Sequence, residues 1–173
     1  MPSSYKARFE FDLEILDKVV EEAITWIDTP YAHLGREKGI AADCICLPVE
    51  VSKALDLHHH DVKWYSDTPK GGRVEKEADT HWTLLADQKL APIEKDDLFP
   101  GLVVAFWHSI RMEMQHFAII VPHPAIPNFP ASIHAMRHAK KVQRCSISDY
   151  WWKRRMKVYA LPGTIIRKLG ADI

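Results

Sequence analysis

The stretch ADCICL at residues 42–47 decides how this chain folds and what chemistry it carries. It follows a polar loop and precedes an apolar run, so Cys44 is expected at the start of a helix. Two later apolar stretches carry histidines, HFAII at 116–120 and IHA at 133–135. A helix N-terminus and a nearby imidazole lower a thiol pKa, and the thiolate is a nucleophile. The pattern therefore predicts the parts that a thiol-dependent hydrolase needs.

The residues around this stretch predict two helices. The first runs from about Asp12 to Trp26, with acidic residues between its apolar positions and Pro30 just past its end. The second follows Cys44. The residues expected to face the core are Leu13, Leu16, Val19, Val20, Ala23, Ile24 and Ile27 in the first helix and Leu47, Val51 and Leu55 in the second.

Apolar, strand-like runs dominate the second half of the chain. The connection between the second and third of them is rich in proline. Residues 56–100 read as polar and irregular, with a short helix near Thr80–Gln88 and the potential to cover a cleft as a lid. Helices first and an antiparallel meander afterwards indicate an α+β domain with helices on one face of a sheet. The predicted strands are Leu102–Trp107, His116–Val121, Ser132–Arg137, Lys141–Ser146 and Met156–Leu161.

Length and composition fit one domain with a substantial core. The chain has 173 residues, 47% of them hydrophobic, and its formal net charge is zero. A neutral chain has no global field to hold nucleic acid or an anionic membrane, and no apolar run is long enough to span a bilayer. The N-terminus lacks the apolar core of a secretory signal, and three cysteines make no disulfide framework. We expect synthesis in a reducing cytoplasm, with later delivery by another route left open.

Five motifs in order resemble the NlpC-type cell-wall cysteine peptidases, a papain-like family, and most closely the branch carried by phages and phage-like particles. The resemblance extends over residues 12–162 of a single domain expected to span 1–173. It implies helices packed on a central antiparallel sheet of about five or six strands. The matching stretches are WIDTPYAH at 26–33, ADCICL at 42–47, FPGLVVAF at 99–106, HFAII at 116–120 and IHA at 133–135, and the tail YWWKRR at 150–155 also fits that branch.

The resemblance implies an amidase or endopeptidase that cleaves peptidoglycan stem peptides without a cofactor, commonly beside D-glutamate and a diamino acid. By match, Cys44 is the nucleophile, His116 its base and His134 the residue that orients His116. Tyr31 resembles the family tyrosine that lines the site near the attacked carbonyl. A phage tail protein is an expected partner, and association with a virion or delivery to the cell wall is an expected location.

Chemistry assigns the same roles independently of the family. Cleaving an amide needs a strong nucleophile, a group that accepts and then returns a proton, and donors for the oxyanion. His134 can hold the far nitrogen of His116 as a neutral acceptor. The backbone N–H of Cys44 and the Tyr31 hydroxyl are candidate oxyanion donors. Asp43 is expected either to cap the helix or to bind a substrate amine.

Four positions depart from the family pattern. A small polar residue and a glycine usually follow the cysteine, where this chain has Ile45 and Cys46. Pro48 would lack an N–H and crowd the Cys44 carbonyl if Asp43 caps the helix, so the helix either starts later or is distorted. Leu102 stands where relatives often carry aspartate. These changes point to an unusual substrate or to lost activity.

Plainer interpretations remain open for each residue. Cys44 can be a buried small hydrophobe, either histidine a structural one, and Tyr31 a core aromatic. A zinc site from the two close cysteines and residues 58–60 is disfavoured, because the spacing is C-x-C and no second pair follows. Trp151–Arg155 can bind an anionic polymer or simply pack. Two other functions compete: a non-catalytic binding part of a phage tail-like assembly, and a thiol amidase acting on a substrate outside the cell wall.

Overall fold

A computed structural model describes residues 9–59, 91–93, 98–107, 114–127, 129–147 and 156–168. Within these ranges the two predicted helices and all five predicted strands are present, and five further short strands join them. The elements are β1 (Phe9–Phe11), α1 (Leu13–Ile24), β2 (Arg36–Glu37), β3 (Ala41–Ala42), α2 (Cys46–Ala54), β4 (Ala91–Ile93), β5 (Val103–Trp107), β6 (Met114–Pro122), β7 (Pro130–Met136), β8 (Lys141–Ser146), β9 (Met156–Ala160) and β10 (Ile165–Lys168).

Helix α1 forms where the apolar periodicity predicts it. Asp12 caps its start, because the carboxylate accepts a hydrogen bond from the Ile15 backbone N–H at 3.1 Å. The apolar stripe is buried against the sheet and the opposite face is charged, which is the usual source of stability for a helix this short. The buried residues of the stripe are Leu16, Val19, Val20 and Ala23. The expectation for Leu13 and Ile24 was wrong, because these two residues, at the ends of the helix, are exposed.

The centre of the molecule is a six-stranded antiparallel sheet in the order β4-β9-β5-β6-β7-β8. Strands β5 to β8 follow one another as a meander, as the sequence predicts, and β9 returns to the other side of β5. Each strand alternates its side chains between the two faces of the sheet. Because both faces are covered, nearly every residue of β5 and of the C-terminal half of β6 is buried.

The two faces of the sheet are covered by different elements. Helices α1 and α2 lie over one face, where Val103, Ile119 and Ile133 point. On the other face Val104 and Ile120 pack near Leu16 and the aromatic residues of β1. The antiparallel ribbon of β1 and β10 joins that second layer. The sheet is therefore the middle of three layers, and the helices occupy one side of it, as predicted.

Some predicted features need correction or lie elsewhere. Residues 91–93 were expected to be irregular, but they form edge strand β4, whose three residues are too few to show a period. The predicted helix at Thr80–Gln88 and the segment Trp151–Arg155 lie outside the described residues, as does most of the expected lid. The domain boundaries remain predictions. No helix among the described residues is both long and apolar enough to cross a membrane.

Candidate active site

The start of α2 is organised around Asp43. Its side chain is almost completely buried, and one carboxylate oxygen accepts the backbone N–H groups of Ile45 at 3.0 Å and Cys46 at 2.8 Å. The other oxygen accepts the N–H of Leu34 at 2.6 Å. Of the two roles expected for Asp43, the structure supports the helix cap, which also fastens the preceding loop to the helix.

Pro48 fits this helix start without breaking it. The first regular helical residue is Cys46, so the helix begins a little later than Asp43, one of the two outcomes expected from the sequence. The carbonyl of Asp43 accepts the Leu47 N–H at 3.1 Å, whereas the Cys44 carbonyl receives no N–H from Pro48. Pro48 is the third helical residue and lies in the first turn, where most N–H groups have no acceptor within the helix. Proline is tolerated in a first turn for this reason. Cys44 therefore lies in a turn that the Asp43 cap holds, ahead of the regular helix.

The loop before Asp43 places Tyr31 beside the helix start. Tyr31 pairs with Ala42 as a short parallel bridge, and its N–H donates to the Lys140 carbonyl at 2.8 Å. Gly35 allows the loop to close, because a Cβ there would lie 2.7 Å from backbone atoms of Ala41. Tyr31 is partly buried against the core. Tyr31 therefore connects the β7–β8 turn, through Lys140, with Ala42, the residue that precedes Asp43.

The two predicted histidines form a direct pair. His116 Nε2 and His134 Nδ1 lie 2.7 Å apart, across the ends of β6 and β7. His134 is 1% exposed and points away from the face of Ile133 and Ala135, as its alternation with them predicts. The His116 ring also stacks near Phe106, with 6.2 Å between centroids. The second nitrogen of His116, Nδ1, is left facing away from His134.

Strands β6 and β7 separate at their histidine ends. Their pairing runs only from Pro122–Pro130 to Ile119–Ile133, whereas β6 stays paired with β5 as far as His116 and beyond. The Ile120 N–H donates to the carbonyl of Leu102, the residue before β5, so the N–H of Phe117, three residues earlier, points to the β7 side. That side is where the ladder has ended, and a backbone donor is therefore available there.

The Cys44 thiol lies at this opening. A hydrogen bond from the backbone of Phe117 acts on the Cys44 sulfur and by itself lowers the thiol pKa. The half-buried cysteine is therefore next to the residue that follows His116 in β6. The structure thus brings the start of α2, Tyr31 and the end of β6 into one region, with His134 behind His116.

The electrostatics differ from the sequence-based expectation. Burial and the neighbouring Asp43 carboxylate raise the pKa of Cys44 to about 12, so the thiol is protonated at rest. Burial and the neighbouring histidines lower the pKa of His116 to about 3 and that of His134 to about 4. The expectation of a lowered thiol pKa was wrong, because the carboxylate that caps the helix lies beside the sulfur and the site is largely shielded from water.

A neutral thiol and a neutral imidazole can still react as a pair. If His116 Nε2 carries the proton and donates to His134 Nδ1, then His116 Nδ1 has a lone pair and can accept a proton. His134, neutral and buried, fits the role of acceptor that the sequence predicts for it. Such a site would transfer the thiol proton during nucleophilic attack and hold no thiolate beforehand.

Sequence reasoning missed several neighbours of the site. His33 Nδ1 lies 3.9 Å from the Asp43 carboxylate, and the field of His138 in the β7–β8 turn acts on both paired histidines. The Phe117 N–H was also missed, since a backbone donor leaves no trace in side-chain patterns. For His138 the proximity to His134 along the chain was a signal that could have been used.

Three of the residues that depart from the family pattern pack in the interior. Leu102 is fully buried in the second core layer, and Ile45 and Cys46 contribute to the interior around α2. Burial and the Asp43 carboxylate also raise the pKa of Cys46 to about 12. Among the described residues, no group of three His, Cys, Asp or Glu side chains is close enough to hold a metal ion.

Solved structures with the same fold were found, although no family model and no curated protein matches the sequence. NlpC1 from Trichomonas vaginalis superposes with a TM-score of 0.60 at 15% identity, covering 95% of this chain and 49% of that one. The chain therefore spans about half the length of that protein. The NlpC/p60 domain of the peptidoglycan hydrolase SagA gives a TM-score of 0.51 at 20% identity, covering 83% of this chain and 97% of that domain.

An N-acetylmuramoyl-L-alanine amidase from Bacteroides uniformis is also similar, with a TM-score of 0.54 at 13% identity over 86% of this chain and 99% of the amidase. Identities this low establish a shared architecture and leave activity to be argued from the site. The helices on one face of an antiparallel sheet are thus arranged as in the NlpC/p60 fold.

Proposed function

We propose that this protein is a cysteine hydrolase that cleaves an amide bond in peptidoglycan stem peptides. The observation that carries the proposal is the hydrogen bond from the Phe117 backbone to the Cys44 sulfur, at the opening between β6 and β7. His116 precedes Phe117 in β6, and its Nε2 lies 2.7 Å from His134 Nδ1. We propose that Cys44 is the nucleophile, His116 the base and His134 the orienting group.

In the proposed reaction Cys44 Sγ attacks the substrate carbonyl while its proton passes to His116 Nδ1. The tetrahedral intermediate collapses to a thioester as His116 returns that proton to the leaving amine. Water then attacks the thioester, again with His116 accepting a proton, and the acid product leaves with the thiol restored. The Cys44 backbone N–H at the helix start and the Tyr31 hydroxyl are proposed to bind the oxyanion.

The substrate class rests on the fold and on the sequence motifs together. Two of the similar structures are the NlpC/p60 domain of a peptidoglycan hydrolase and an N-acetylmuramoyl-L-alanine amidase. The five ordered motifs resemble those of the same family. We therefore propose the stem peptide as substrate. The phage tail protein as a partner, and delivery to the wall with a virion, are proposed on the motif resemblance alone.

The test is digestion of purified peptidoglycan, with new amino and carboxyl termini identified by mass spectrometry. Wild-type protein should release fragments with one defined cut, and Cys44→Ala should release none while keeping the native thermal unfolding transition. Cys46→Ala is the matched control, because it removes a buried thiol two residues away. Turnover retained in Cys44→Ala, or lost equally in both variants, would contradict the assignment of the nucleophile.

A non-catalytic domain of the same fold is the second candidate. The observation that favours it is that burial keeps the Cys44 thiol protonated and the His116 imidazole neutral near pH 7. It predicts that wild type binds wall fragments without cutting them. A third candidate, a thiol amidase with another substrate, predicts a reactive Cys44 and intact peptidoglycan. The digestion experiment, combined with the reactivity of Cys44, separates all three.

A further inference from the structure

The guanidinium of Arg36, in β2, contacts helix α2 beside the candidate site. Arg36 pairs with Ala42 in the β2–β3 ladder, and paired residues of an antiparallel ladder project on the same face. Ala42 is completely buried, and the Arg36 side chain is only 25% exposed. The hairpin therefore directs Arg36 inward, toward the helix that begins at Cys46, four residues after Ala42.

Two residues of α2 contact this guanidinium. Its Nη1 lies 3.5 Å from Glu50 Oε1, and Glu50 also accepts from Lys53 Nζ at 2.9 Å. A further hydrogen bond joins the guanidinium to the Cys46 side chain. Because Cys46 and Glu50 are four residues apart, they lie on one face of the helix, one above the other. Arg36 therefore lies along the first turn of α2, directly after Cys44.

Cys46 connects Arg36 with the Asp43 carboxylate. The Cys46 N–H donates to Asp43 Oδ1 at 2.8 Å, and a hydrogen bond also joins the two side chains. Burial is the main reason why the pKa of Cys46 is raised; the Asp43 carboxylate raises it further, and the Arg36 guanidinium lowers it. A cation and a buried anion therefore both lie within reach of one small side chain.

A positive charge at this place has a physical use. The buried Asp43 carboxylate is bonded to three backbone N–H groups, but these donors carry only partial charges. After burial, that carboxylate is the largest cause of the raised pKa of Cys44. A nearby cation opposes such an effect, because it stabilises negative charge in a site shielded from water. Arginine suits the position because it stays charged and donates from several N–H groups, so one guanidinium can contact both Cys46 and Glu50.

We propose that Arg36 is a positioning residue whose positive charge, held between Cys46 and Glu50, offsets the Asp43 carboxylate at the start of α2 and so assists the loss of the Cys44 proton. Glu50 limits this effect, because its carboxylate draws on the same guanidinium charge. The inference rests on the proposed function for the role of Cys44 as nucleophile. The effect of the charge on the thiol can be measured without any substrate.

Besides the ion pairs on α2, other titratable groups face the same region. His33, in the loop before the helix, has its Nδ1 3.9 Å from Asp43 Oδ2. On β6 and β7, the paired imidazoles of His116 and His134 stay neutral near pH 7, because burial lowers their pKa values. The test must therefore separate the effect of Arg36 from that of His33.

The test is the rate of Cys44 alkylation by iodoacetamide between pH 7 and 10 in the full-length protein, with mass spectrometry to separate the three cysteines. Arg36→Gln should slow the reaction by at least about threefold and move its pH profile upward by about half a unit, because the Asp43 charge is then less offset. Glu50→Gln should move the profile downward, and Arg36→Lys should restore at least half of the Arg36→Gln shift. Lys18→Gln, which removes an exposed cation paired with a carboxylate on α1, should change nothing.

The opposite signs expected for Arg36→Gln and Glu50→Gln distinguish charge from packing, because loss of a merely structural contact would change the Cys44 rate in the same direction in both. The Arg36→Gln shift should also appear in full in a His33→Gln background. Shifts of one sign, an unchanged profile in Arg36→Gln in either background, or no reaction at Cys44 in any of these proteins would overturn the inference. Opposite shifts without any peptidoglycan cleavage would refute the proposed function and leave this inference standing.

Discussion

Each of the two helices has an aspartate whose carboxylate accepts backbone N–H groups at its start, yet only one of these starts forms a candidate site. Asp12 accepts one backbone N–H with its carboxylate, at the edge of solvent, and the residue after it, Leu13, is 69% exposed. Asp43 accepts three and is buried, and the residue after it is Cys44. The difference between the two aspartates is that Asp43 is buried and that its carboxylate also binds a second segment of the chain, the Leu34 loop.

The difference has an electrostatic consequence. The positive end of a helix favours an anion, and by that argument alone Cys44 should be a thiolate. The buried carboxylate that caps α2 offsets the helix end and opposes a second negative charge beside it. In the proposed reaction the Cys44 thiol must therefore lose its proton to His116 at the moment of attack, so the proposed mechanism depends on the histidine pair.

The largest expected difference between the two starts is in activity. Cys44→Ala should reduce the rate of peptide hydrolysis by at least about a thousandfold, because the nucleophile is removed. Leu13→Ala, at the corresponding position of α1, should leave the rate unchanged. Steady-state rates on stem peptides measure both. Equal rates for the two variants would show that the second helix start has no special role.

Acid should destabilise the folded protein through the histidine pair of β6 and β7. The pKa values of His116 and His134 are lowered in the fold, to about 3 and 4, from about 6.5 in the unfolded chain. The unfolded state therefore binds more protons between these values, and the free energy of unfolding falls as the pH drops from about 6.5 toward 3, by on the order of a few kcal/mol.

The measurement is urea unfolding at several pH values, in the wild type and in His134→Gln. The wild type should lose stability more steeply than the variant below pH 6.5, because the variant lacks one of the two buried imidazoles. Parallel curves for the two proteins would mean that these histidines are not held neutral in the folded state.

The two aspartates should differ in their contribution to stability. Asp43→Ala should lower the free energy of unfolding by about 3 kcal/mol, because three backbone donors lose their acceptor in the interior. Asp12→Ala should lower it by about 1 kcal/mol, the usual effect of one exposed cap. Chemical denaturation of both variants measures the two losses in unfolding free energy. A larger effect at Asp12 would reverse the comparison.

The smallest expected effect is at Pro48. Pro48→Ala should change the free energy of unfolding by less than about 1 kcal/mol, because Pro48 lies in the first turn of α2, where proline is tolerated. Ile15→Pro in the first turn of α1 is the matched variant. It should lower the free energy of unfolding by more, because it removes the backbone N–H that donates to the Asp12 carboxylate. A large gain from Pro48→Ala would reveal strain at the helix start.

The sequence predicted the elements better than their electrostatics. Periodicity is a local property, so α1 and strand β8 were placed within one or two residues of where they lie. The pairing of His116 with His134 followed from motif order and is present as a direct contact. Edge strand β4 and the ribbon of β1 with β10 are too short to show a period, and they are defined by long-range pairing.

The pKa of Cys44 could not be predicted for a related reason. The sequence shows that Asp43 is next to the cysteine, but burial of its carboxylate depends on the Leu34 loop folding back from nine residues away. Likewise, the Phe117 N–H becomes available only because β6 and β7 separate. Both features depend on the tertiary structure, and both act on the pKa of the Cys44 thiol.

The most direct test of the account is the rate at which Cys44 is acylated by p-nitrophenyl acetate between pH 4 and 9, in the wild type and in His116→Ala. Release of p-nitrophenolate gives the rate, and mass spectrometry locates the acetyl group among the three cysteines. The account predicts acetylation at Cys44 that becomes at least about a hundredfold slower in His116→Ala across neutral pH. Equal rates in the two proteins, or acetylation of another cysteine, would contradict it.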